Sequence, residues 1–386
     1  MKRIMVIMGT RPEAIKLCPL VAELKKRSRF SVSVCASGQH RTMLEDAMRS
    51  FDVTPDFELD VMRPGQSTAQ LYAKLVSELD LLLERVHPDF VLVQGDTSTA
   101  YAATQAAFYR NIAVGHVEAG LRTYHIRTPF PEELHRRAIS LMADLHFAPT
   151  VTASKNLIRE GIDEKSVFIT GNTVVDALRY TLGVDKKVTL PQIPHGYRLL
   201  LFTAHRREHI GKTMEGMFSA LCRILQSNPD TFAVCPLHLN PQVRSVAKEV
   251  LRGCDRVRCI EPPEVLSFHR LLARAYLVLT DSGGVQEEAT ALGIPTVVMR
   301  YSTERTEGVL AGNLRLAGSG EEGIVDTANR LLCQDSELYD SMKKPSAVYG
   351  DGNASARICD ALEKYLIKNV LCLQKIKKRL EKTRII

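Results

Sequence analysis

Short apolar runs, each followed by a segment with helical periodicity, recur along most of this 386-residue chain. A run of four to six apolar residues crosses a buried sheet once, and the helical segment after it returns the chain to the same edge. This alternation predicts an α/β fold with parallel sheets that carry helices on both faces. The first series of runs is 3–8, 31–36, 90–94, 112–117 and 167–170, and the second is 199–203, 231–235, 257–260, 277–280 and 295–299.

The two series predict two doubly wound, Rossmann-like domains, because 386 residues exceed what one hydrophobic core normally holds. Between residues 172 and 198 the pattern is interrupted by a charged triplet and two prolines, so we expect the linker there. We assign residues 1–172 and 356–386 to an N-terminal domain, and residues 173–355 to a C-terminal domain.

The formal net charge of +7 is concentrated at the C-terminus. From Lys364 to Ile386 there are eight Lys or Arg and one Glu, so the rest of the chain is formally neutral. A basic groove for nucleic acid is therefore not supported. The same segment has apolar residues at helical spacing, which predicts an amphipathic helix that packs back on the N-terminal domain. Binding to a membrane surface is the alternative for this helix.

The chain has no apolar run of membrane-spanning length, and its first strand pattern starts directly after Met1-Lys2-Arg3. That strand is too short for the core of a signal peptide, so we expect a cytoplasmic protein. The nine cysteines include no Cys-x-x-Cys pair and lie mostly inside apolar patterns. We expect them to be reduced core residues. The cysteines that lie inside apolar patterns are Cys18, Cys35, Cys222 and Cys235.

The stretch from Asp281 to Glu288 lies where a buried strand must turn into a helix. Gly283 and Gly284 allow backbone N–H groups to approach a ligand, and the helix directs its positive N-terminal end at the same place. Ser282 adds a hydroxyl, and Glu288 lies one turn further on, where it can accept hydrogen bonds from a sugar. We expect a site for a nucleotide diphosphate and its ribose. An ordinary strand-to-helix turn is the alternative.

Carboxylates follow the strands of the first domain at their carboxyl ends, where open parallel sheets bind ligands. Asp96 and Glu118 each come directly after a buried strand, and Glu132 lies in the loop that follows. Taken singly, Asp96 could cap the next helix, and the two glutamates could pair with Arg122 and Arg136. Clustered together, the three carboxylates suit general acid and base chemistry on a sugar carbon.

Cations and histidines complete the predicted site. Arg11 and Lys16 lie beyond the first strand, where they could also be solvated helix charges, while His205, Arg206 and His238 follow strands of the second domain. Either histidine alone could be structural. Arg11, His205, Arg206 and Ser282 could together stabilise the negative charge that develops on a leaving pyrophosphate. No spacing resembles a metal site or a Gly-x-Gly-x-x-Gly fingerprint. We therefore expect neither a metal nor a nicotinamide cofactor.

From residue 1 to about 365 the chain resembles the non-hydrolysing UDP-N-acetylglucosamine 2-epimerase family, which has the two-domain glycosyltransferase-B architecture. The motifs that carry the resemblance are Gly9-Thr10-Arg11-Pro12-Glu13-Ala14-Ile15-Lys16, Gly95-Asp96-Thr97, Gly115-His116-Val117-Glu118-Ala119-Gly120-Leu121-Arg122-Thr123, Pro131-Glu132-Glu133, His205-Arg206-Arg207-Glu208, His238-Leu239-Asn240-Pro241, Asp281 to Glu288, Thr303-Glu304-Arg305 and Tyr349-Gly350-Asp351-Gly352.

The resemblance implies a reaction. UDP is eliminated across C1 and C2 of UDP-N-acetylglucosamine to leave an enzyme-held glycal, and it is added back with the opposite C2 configuration to give UDP-N-acetylmannosamine. It also implies an active site in the cleft between the domains, UDP binding by the C-terminal domain and a homodimer. Many members of the family bind a second UDP-N-acetylglucosamine as an activator, and none of this requires a cofactor.

The resemblance further implies roles for individual residues. Proton transfers fall to Asp96, Glu118 and Glu132, while His205 assists the pyrophosphate. Which carboxylate works on which face of the sugar stays open. Substrate binding is expected of Arg11, Lys16, Arg136, Phe268, Ser282, Gly283, Gly284, Glu288 and Arg305. Activator binding is expected of Gln39, His40, Arg207 and His238.

Three positions depart from the family pattern. His135 replaces a usual Asn and Thr306 replaces a Pro, which bears on substrate preference. Thr42 stands where Gln or Glu is common, which bears on activation. The alternatives are a glycosyltransferase, which shares the architecture, and a 2-epimerase of a modified UDP-N-acetylhexosamine. Three carboxylates at one rim favour chemistry at C2 over transfer to an acceptor.

Overall fold

A computed structural model describes residues 1–39, 41–63 and 65–367 of the chain, without the side chains of Arg41 and Arg207. The chain divides into two compact units. Unit 1 comprises Met1–Asp176 and the described chain from Gly352 to residue 367, and unit 2 comprises Ala177–Asp351. Most of the predicted C-terminal amphipathic helix, from residue 368, lies outside the described residues.

Unit 1 is built on a parallel sheet of seven strands. The strands are β1 (Lys2–Met8), β2 (Phe30–Ala36), β3 (Phe57–Glu58), β4 (Phe90–Gln94), β5 (Ala113–Val117), β6 (Leu145–Ala148) and β7 (Val167–Ile169). Their order is β3-β2-β1-β4-β5-β6-β7, so the direction of winding reverses between β1 and β4. Such a reversal opens a crevice at the carboxyl ends of the two strands, which is where ligands bind in folds of this kind.

Helices cover both faces of this sheet. They are α1 (Arg11–Lys25), α2 (Arg41–Ser50), α3 (Thr68–Val86), α4 (Ser98–Tyr109), α5 (Glu132–Met142) and α6 (Val151–Arg159), with a 3-10 turn at Glu164–Ser166. Helix α7 (Thr173–Gly183) begins in unit 1 and belongs to unit 2 from Ala177 onward. Helix α1 begins after Thr10, as the sequence predicts, because the Glu13 carboxylate accepts a 2.8 Å hydrogen bond from the Thr10 amide. A last helix runs from residue 354 and is described to 367. It is held on unit 1 by Arg27, which contacts Asp360 at 2.9 Å.

Unit 2 is built on a second parallel sheet, of six strands. The strands are β8 (Arg198–Thr203), β9 (Thr231–Pro236), β10 (Val257–Ile260), β11 (Leu277–Thr280), β12 (Thr296–Val298) and β13 (Leu314–Leu316). Their order is β10-β9-β8-β11-β12-β13, which reverses between β8 and β11. The helices are α8 (Lys212–Ser227), α9 (Pro241–Val250), α10 (Val265–Leu272), α11 (Gly283–Leu292), α12 (Thr306–Leu310), α13 (Glu321–Leu332) and α14 (Glu337–Met342), with a 3-10 turn at Arg207–His209.

Alternate residues of β8 enter two separate cores, which explains why the strand is apolar from Leu199 to Phe202. Leu200 and Phe202 pack with α8 and α13 on one face of the sheet. Leu199 and Leu201 pack with α10 and α11 on the other face. Because both faces are covered, the predicted doubly wound parallel sheet is confirmed. All ten apolar runs of the sequence are strands, and β3, β6 and β13 are additional.

One expectation about the cysteines is wrong. Cys222 of α8 and Cys254, which follows α9, are joined by a disulfide with their Cα atoms 6.2 Å apart. The two residues are separated by 32 positions, so the pairing depends on the packing of α8 beside α9 and leaves no local sequence signal. Cys18, Cys35 and Cys235 are free and buried. Within the described ranges, no helix is both long enough and apolar enough to cross a membrane.

Candidate active site

Glu118 follows β5 directly and is the most constrained of the predicted carboxylates. Its backbone has φ 64°, in the left-handed region that non-glycine residues rarely occupy outside functional or tightly constrained sites. Its Oε2 accepts hydrogen bonds from Lys16 Nζ of α1 and from Gln94 Nε2 at the end of β4. All three side chains are buried. Lys16, which the sequence predicts to contact substrate, therefore lies against Glu118 in this structure.

Asp96 lies at the end of β4 and does not cap the following helix. Thr97 is the cap of α4, since its hydroxyl accepts a 3.0 Å hydrogen bond from the Ala100 amide. The Asp96 carboxylate instead pairs with Arg136, whose Nε lies 2.9 Å from Oδ2. His135 Nδ1 lies 2.9 Å from the Asp96 carbonyl oxygen. Two residues of α5 thus fix the position of Asp96, which keeps 26% of its side chain exposed.

Glu132 and Glu133 are adjacent but occupy opposite environments at the start of α5. Glu133 is fully buried and accepts hydrogen bonds from the backbone amides of Thr123 and Tyr124, at 3.0 and 3.1 Å. Glu132 is half-buried, and its carboxylate makes no hydrogen bond or ion pair with any described residue. Glu133 therefore holds the loop before α5, whereas Glu132 can meet a ligand without giving up a partner.

The simpler pairings considered for these glutamates are wrong. Arg122 forms its ion pair with Glu160, at 2.8 Å, and donates to Ser140 at 2.9 Å. Arg136 pairs with Asp96 and lies 3.5 Å from Glu133. Among the described residues, the ion pair of Arg122 is therefore with Glu160 and not with Glu118, and that of Arg136 is with Asp96 and not with Glu132. The arrangement leaves two carboxylates held by cations and one without a partner among the described residues.

Glu13 is a fourth carboxylate at this edge, which the sequence marked only as a helix-start signal. It is fully buried and accepts hydrogen bonds from the Gly9 amide at 3.0 Å and from the Thr97 hydroxyl at 2.8 Å. Burial raises the pKa of Glu13 to about 7, although hydrogen bonds from Thr10, Thr97 and Gly9 act in the opposite direction. Glu13 therefore ties the turn after β1 to the turn that carries Asp96.

The remaining predicted residues of unit 1 lie near the same turns. Arg11 is the first residue of α1 and is half-buried. Gln39 follows β2, and its side-chain oxygen accepts a 2.9 Å hydrogen bond from the Thr99 hydroxyl of α4. His40, the next predicted residue, lies outside the described part of the chain. Thr42 is exposed in the first turn of α2.

In unit 2, Asp281 fixes the loop that carries His205. It is fully buried at the end of β11 and accepts hydrogen bonds from the amides of His205 and Arg206, at 3.1 and 3.0 Å. His209 Nδ1 lies 3.1 Å from the same carboxylate. Burial alone would raise the pKa of Asp281, but His209, the charge of His205 and the two amides hold this pKa at about 2. Asp281 is thus a charged anchor beneath His205, and the sequence did not assign it this role.

His205 and His238 lie side by side. Their ring centroids are 5.9 Å apart and the ring planes differ by 18°. The His205 side chain is 41% exposed, and His238 Nδ1 accepts a 3.1 Å hydrogen bond from the Asn240 amide. A residue predicted for catalysis is therefore stacked on one predicted for activation. The side chain of Arg207, predicted to act with them, lies outside the described residues.

The Ser282-Gly283-Gly284 turn begins α11, with Ser282 as the N-cap. A Cβ atom on Gly283 would lie 2.8 Å from the guanidinium carbon of Arg305, so a larger residue here would require this guanidinium to move. Arg305 Nε contacts Glu287 at 2.9 Å and Arg305 Nη1 contacts Glu304 at 2.7 Å. Arg305, predicted to bind substrate, is therefore buried beside the turn and engaged with two carboxylates.

Glu304 is the centre of this buried charge cluster. Arg300 and Arg305 contact it at 3.0 and 2.7 Å, and Arg206 lies 3.6 Å away. Burial opposes ionisation, but the three arginines together hold the pKa of Glu304 well below its usual range. Arg206 also donates from Nε to the Asp281 carbonyl at 2.8 Å. The cluster therefore places two arginines beside the N-terminus of α11, where an anion is favoured.

Glu288 of α11 and Phe268 of α10 are the two residues predicted to contact the ribose and the uracil of the nucleotide. Glu288 is buried in α11, and its Oε1 lies 3.3 Å from His269 Nε2. Phe268 precedes that histidine in α10 and packs, partly buried, against the core that contains Leu271 and Val285. Among the described residues, no group of three or more His, Cys, Asp or Glu side chains is arranged to hold a metal ion.

Comparison with known proteins identifies close similarity over nearly the whole chain. Residues 22–363 match the family model described as UDP-N-acetylglucosamine 2-epimerase. The chain is 48% identical to the UDP-N-acetylglucosamine 2-epimerase of Bacillus subtilis (strain 168) over 362 residues, which cover 93% of this chain and 94% of the relative.

Two solved structures extend the similarity to the fold. One is the crystal structure of UDP-GlcNAc 2-epimerase from Neisseria meningitidis bound to UDP-GlcNAc, with TM-score 0.89, 40% identity and coverage of 94% of this chain and 100% of that chain. The other is the Methanocaldococcus jannaschii UDP-GlcNAc 2-epimerase in complex with UDP-GlcNAc and UDP, with TM-score 0.80, 30% identity and coverage of 94% and 99%.

Proposed function

Because the chain belongs to the UDP-N-acetylglucosamine 2-epimerase family, we propose that it interconverts UDP-N-acetylglucosamine and UDP-N-acetylmannosamine by eliminating UDP and adding it back. The observation that carries this proposal is the set of carboxylates in unit 1. Asp96 and Glu118 are held by Arg136 and Lys16, and Glu132 has no hydrogen-bond or ion-pair partner among the described residues. Three differently held carboxylates at one sheet edge suit proton transfer at a carbon centre.

The proposed reaction balances without a further reagent. A carboxylate takes the proton from C2, the C1–O bond to the β-phosphate breaks, and its electron pair leaves with UDP as the C1–C2 double bond forms. In the return step the same phosphate oxygen attacks C1, and C2 receives a proton from the opposite face. General acid–base steps of this kind contribute about 10² to 10⁴ in rate.

Unit 2 would hold the UDP portion of the substrate. The amides at the start of α11, in the Ser282-Gly283-Gly284 turn, would bind the pyrophosphate together with His205. Asp281 supports this role, because it anchors the His205 backbone at 3.1 Å. The buried Glu288 carboxylate would accept a hydrogen bond from a ribose hydroxyl, and Phe268 would contact the uracil ring.

The cations predicted to bind substrate are proposed to act in two ways. Lys16 and Arg136 position Glu118 and Asp96, which they contact in this structure. Arg305 fixes the glycine turn of α11, since it lies against Gly283 and is bound to two carboxylates. Arg11, half-buried at the start of α1, would meet the phosphate charge directly. A mutation of Lys16 or Arg136 should therefore lower turnover more than UDP affinity.

The function is tested by incubating the purified protein with UDP-N-acetylglucosamine and no acceptor, and by following the C2 configuration in proton NMR spectra. We expect UDP-N-acetylmannosamine to form, with no acceptor required. Production of free UDP and sugar alone, or no change in the substrate, would reject the epimerase. The same assay with a UDP-N-acetylhexosamine modified at C4 to C6 would reveal the alternative substrate class if only the modified sugar reacts.

We also propose that a second UDP-N-acetylglucosamine molecule activates the enzyme. The support from this chain is that Gln39 and His238, two residues of the expected activator site, each lie against elements of the candidate active site: Gln39 on Thr99 and His238 on His205. Starting from pure UDP-N-acetylmannosamine, we expect a lag that a trace of UDP-N-acetylglucosamine removes. Immediate full velocity, unaffected by the added epimer, would reject activation.

A homodimer is the proposed assembly. Unit 1 exposes large apolar side chains at the ends of neighbouring helices: Phe108 and Tyr109 at the end of α4 are 51% and 69% exposed, and Leu141 near the end of α5 is 76% exposed. Apolar patches of this kind commonly mark protein interfaces. Light scattering after size-exclusion chromatography should give about twice the 43.0 kDa chain mass. A monomer at micromolar concentration would reject this assembly.

A further inference from the structure

The buried oxygen atoms of Glu288 have unequal surroundings. Oε1 lies 3.3 Å from His269 Nε2, whereas Oε2 is buried and has no hydrogen-bond partner among the described residues. Leaving a buried carboxylate oxygen unpaired is costly, so such an atom usually faces a ligand that donates a hydrogen bond. Glu288 lies four residues beyond Gly284, about 6 Å along α11. That spacing matches the step from a pyrophosphate to the hydroxyls of the attached ribose.

His269 is itself held from its other side. Its Nδ1 lies 2.6 Å from the hydroxyl of Thr181 in α7, and both side chains are almost completely buried. The Thr181 hydroxyl is also 3.0 Å from the carbonyl oxygens of Ala177 and Leu178. Carbonyl oxygens only accept, so the hydroxyl donates its hydrogen to them and its oxygen accepts a hydrogen bond from Nδ1–H. Because a neutral ring carries only one proton, the contact between Nε2 and Glu288 Oε1 is made by a second proton that the His269–Glu288 pair shares. The imidazole ring is thereby fixed with Nε2 directed at Glu288.

We propose that the Thr181–His269–Glu288 chain makes His269 a positioning residue for nucleotide recognition. Oε1 is occupied by His269, so the carboxylate plane is fixed and Oε2 is presented to one hydroxyl of a ribose. The chain would therefore select ribonucleotides over nucleotides that lack that hydroxyl. This inference rests on the proposed function for the identity of the nucleotide, UDP, but it does not depend on turnover.

The test compares the dissociation constants of UDP, 2′-deoxy-UDP and 3′-deoxy-UDP by calorimetry on the full-length protein. A hydrogen bond from a hydroxyl to a buried carboxylate contributes about 1.5–3 kcal/mol, so at least one deoxynucleotide should bind about 10- to 100-fold more weakly than UDP. Equal affinity for all three nucleotides would overturn the inference. Because no sugar is transferred or epimerised, this result is independent of whether the protein is an epimerase.

Variants separate positioning from simple packing. Thr181→Val keeps the shape but removes the oxygen that accepts from His269, so the preference for UDP over the deoxynucleotide should fall severalfold or more. Thr181→Ser retains the oxygen and should restore the preference. Thr327→Val is the matched control, because Thr327 also donates to a helix carbonyl of unit 2, Gly323 at 2.7 Å, but contacts no histidine ring. It should change thermal stability alone.

His269→Gln and His269→Ala complete the series. Gln can place its amide nitrogen near the position of Nε2 and donate to Glu288, so it should keep more of the nucleotide preference than Ala. If Thr181→Val and His269→Ala lower the melting temperature while the UDP preference stays at the wild-type value, the chain is only structural and the inference is wrong. Should Thr181→Val fail to fold, His269→Ala against His269→Gln decides it, and should His269→Ala fail to fold, Thr181→Val against Thr181→Ser decides it. A weaker preference in the first member of the pair than in the second supports positioning, and an equal preference in both members overturns it.

Discussion

Lys16 of α1 and Glu118 after β5 form a buried ion pair across 102 positions of sequence. Their side chains are only 10% and 5% exposed, and Gln94 contacts the same carboxylate oxygen. The pair joins the two strands on either side of β4, because α1 follows β1 and Glu118 follows β5. The Glu118 carboxylate is therefore held by a residue from beyond β1, one of the two strands between which the order of winding reverses and the crevice opens.

Removing Lys16 should destabilise unit 1 substantially. Lys16→Met keeps the length of the side chain but leaves the buried Glu118 charge without its cation, which typically costs about 3–5 kcal/mol. Adding Glu118→Gln to this variant should recover part of the loss in urea unfolding. Lys26→Met is the control, since Lys26 is 71% exposed in its pair with Glu23 and should change stability by less than about 1 kcal/mol. Equal effects of the two Lys→Met changes would contradict the buried-pair account.

Each of the three proposed acid–base carboxylates should be needed for turnover. Asp96→Asn, Glu118→Gln and Glu132→Gln are expected to lower kcat by about a hundredfold or more and to leave UDP affinity nearly unchanged. The exposed Glu164→Gln in the same unit should have wild-type kcat. A variant that turns over at the wild-type rate removes its residue from the mechanism.

Sequence reasoning located these carboxylates but not what holds them. The strand ends carrying Asp96 and Glu118 follow from the apolar pattern, because carboxyl ends of parallel strands meet at one edge. The contact of Lys16 with Glu118 and that of Asp281 with His205 join residues that are 102 and 76 positions apart. Such contacts depend on strand order, which local periodicity does not encode. For the same reason the sequence also allows Asp96 as the cap of the next helix, although Thr97 fills that position.

His135 should tolerate substitution by Asn. Its Nδ1 lies 2.9 Å from the Asp96 carbonyl, and the amide nitrogen of Asn branches from the same position of the side chain. His135→Asn should therefore keep kcat within about threefold, less than 1 kcal/mol in the activation free energy. His135→Leu loses the donor and should lower kcat by about tenfold or more. If Leu performs as well as Asn, this hydrogen bond does not position Asp96.

Because of Glu13, the free energy of unfolding should decrease as the pH rises from about 4.5 to about 7. The folded protein keeps the Glu13 proton up to about pH 7, whereas an exposed glutamate side chain has a pKa of 4.5. Unfolding between these pH values releases a proton, so stability is lost with increasing pH, by about 3 kcal/mol at most over this window. Glu13→Gln carries no such charge, and its unfolding midpoint should decline less between pH 5 and pH 8 than that of the wild type. Parallel pH profiles for the two proteins would contradict the buried neutral carboxyl.

The sequence predicts more of the fold than of the contacts within the site. Three strands are not predicted, and each of them is short or carries a polar residue. β3 (Phe57–Glu58) has two residues, and β13 (Leu314–Leu316) has an Arg at its centre. β6 (Leu145–Ala148) contains His146, whose polar ring can be buried because its Nε2 forms a 2.9 Å hydrogen bond with the Ser140 carbonyl oxygen. A strand shorter than about five residues, or one interrupted by a polar side chain, gives too few apolar positions to stand out from a loop.

The most direct test of the account is turnover of UDP-N-acetylglucosamine in deuterium oxide. If C2 epimerisation proceeds by loss of a proton to a carboxylate and return of a solvent-derived proton from the opposite face, the UDP-N-acetylmannosamine formed should carry deuterium at C2. Proton NMR spectra of the product should then lack the C2 proton signal, and recovered substrate should lose that signal as the reaction reverses. A product with full protium at C2 would contradict elimination through Asp96, Glu118 and Glu132.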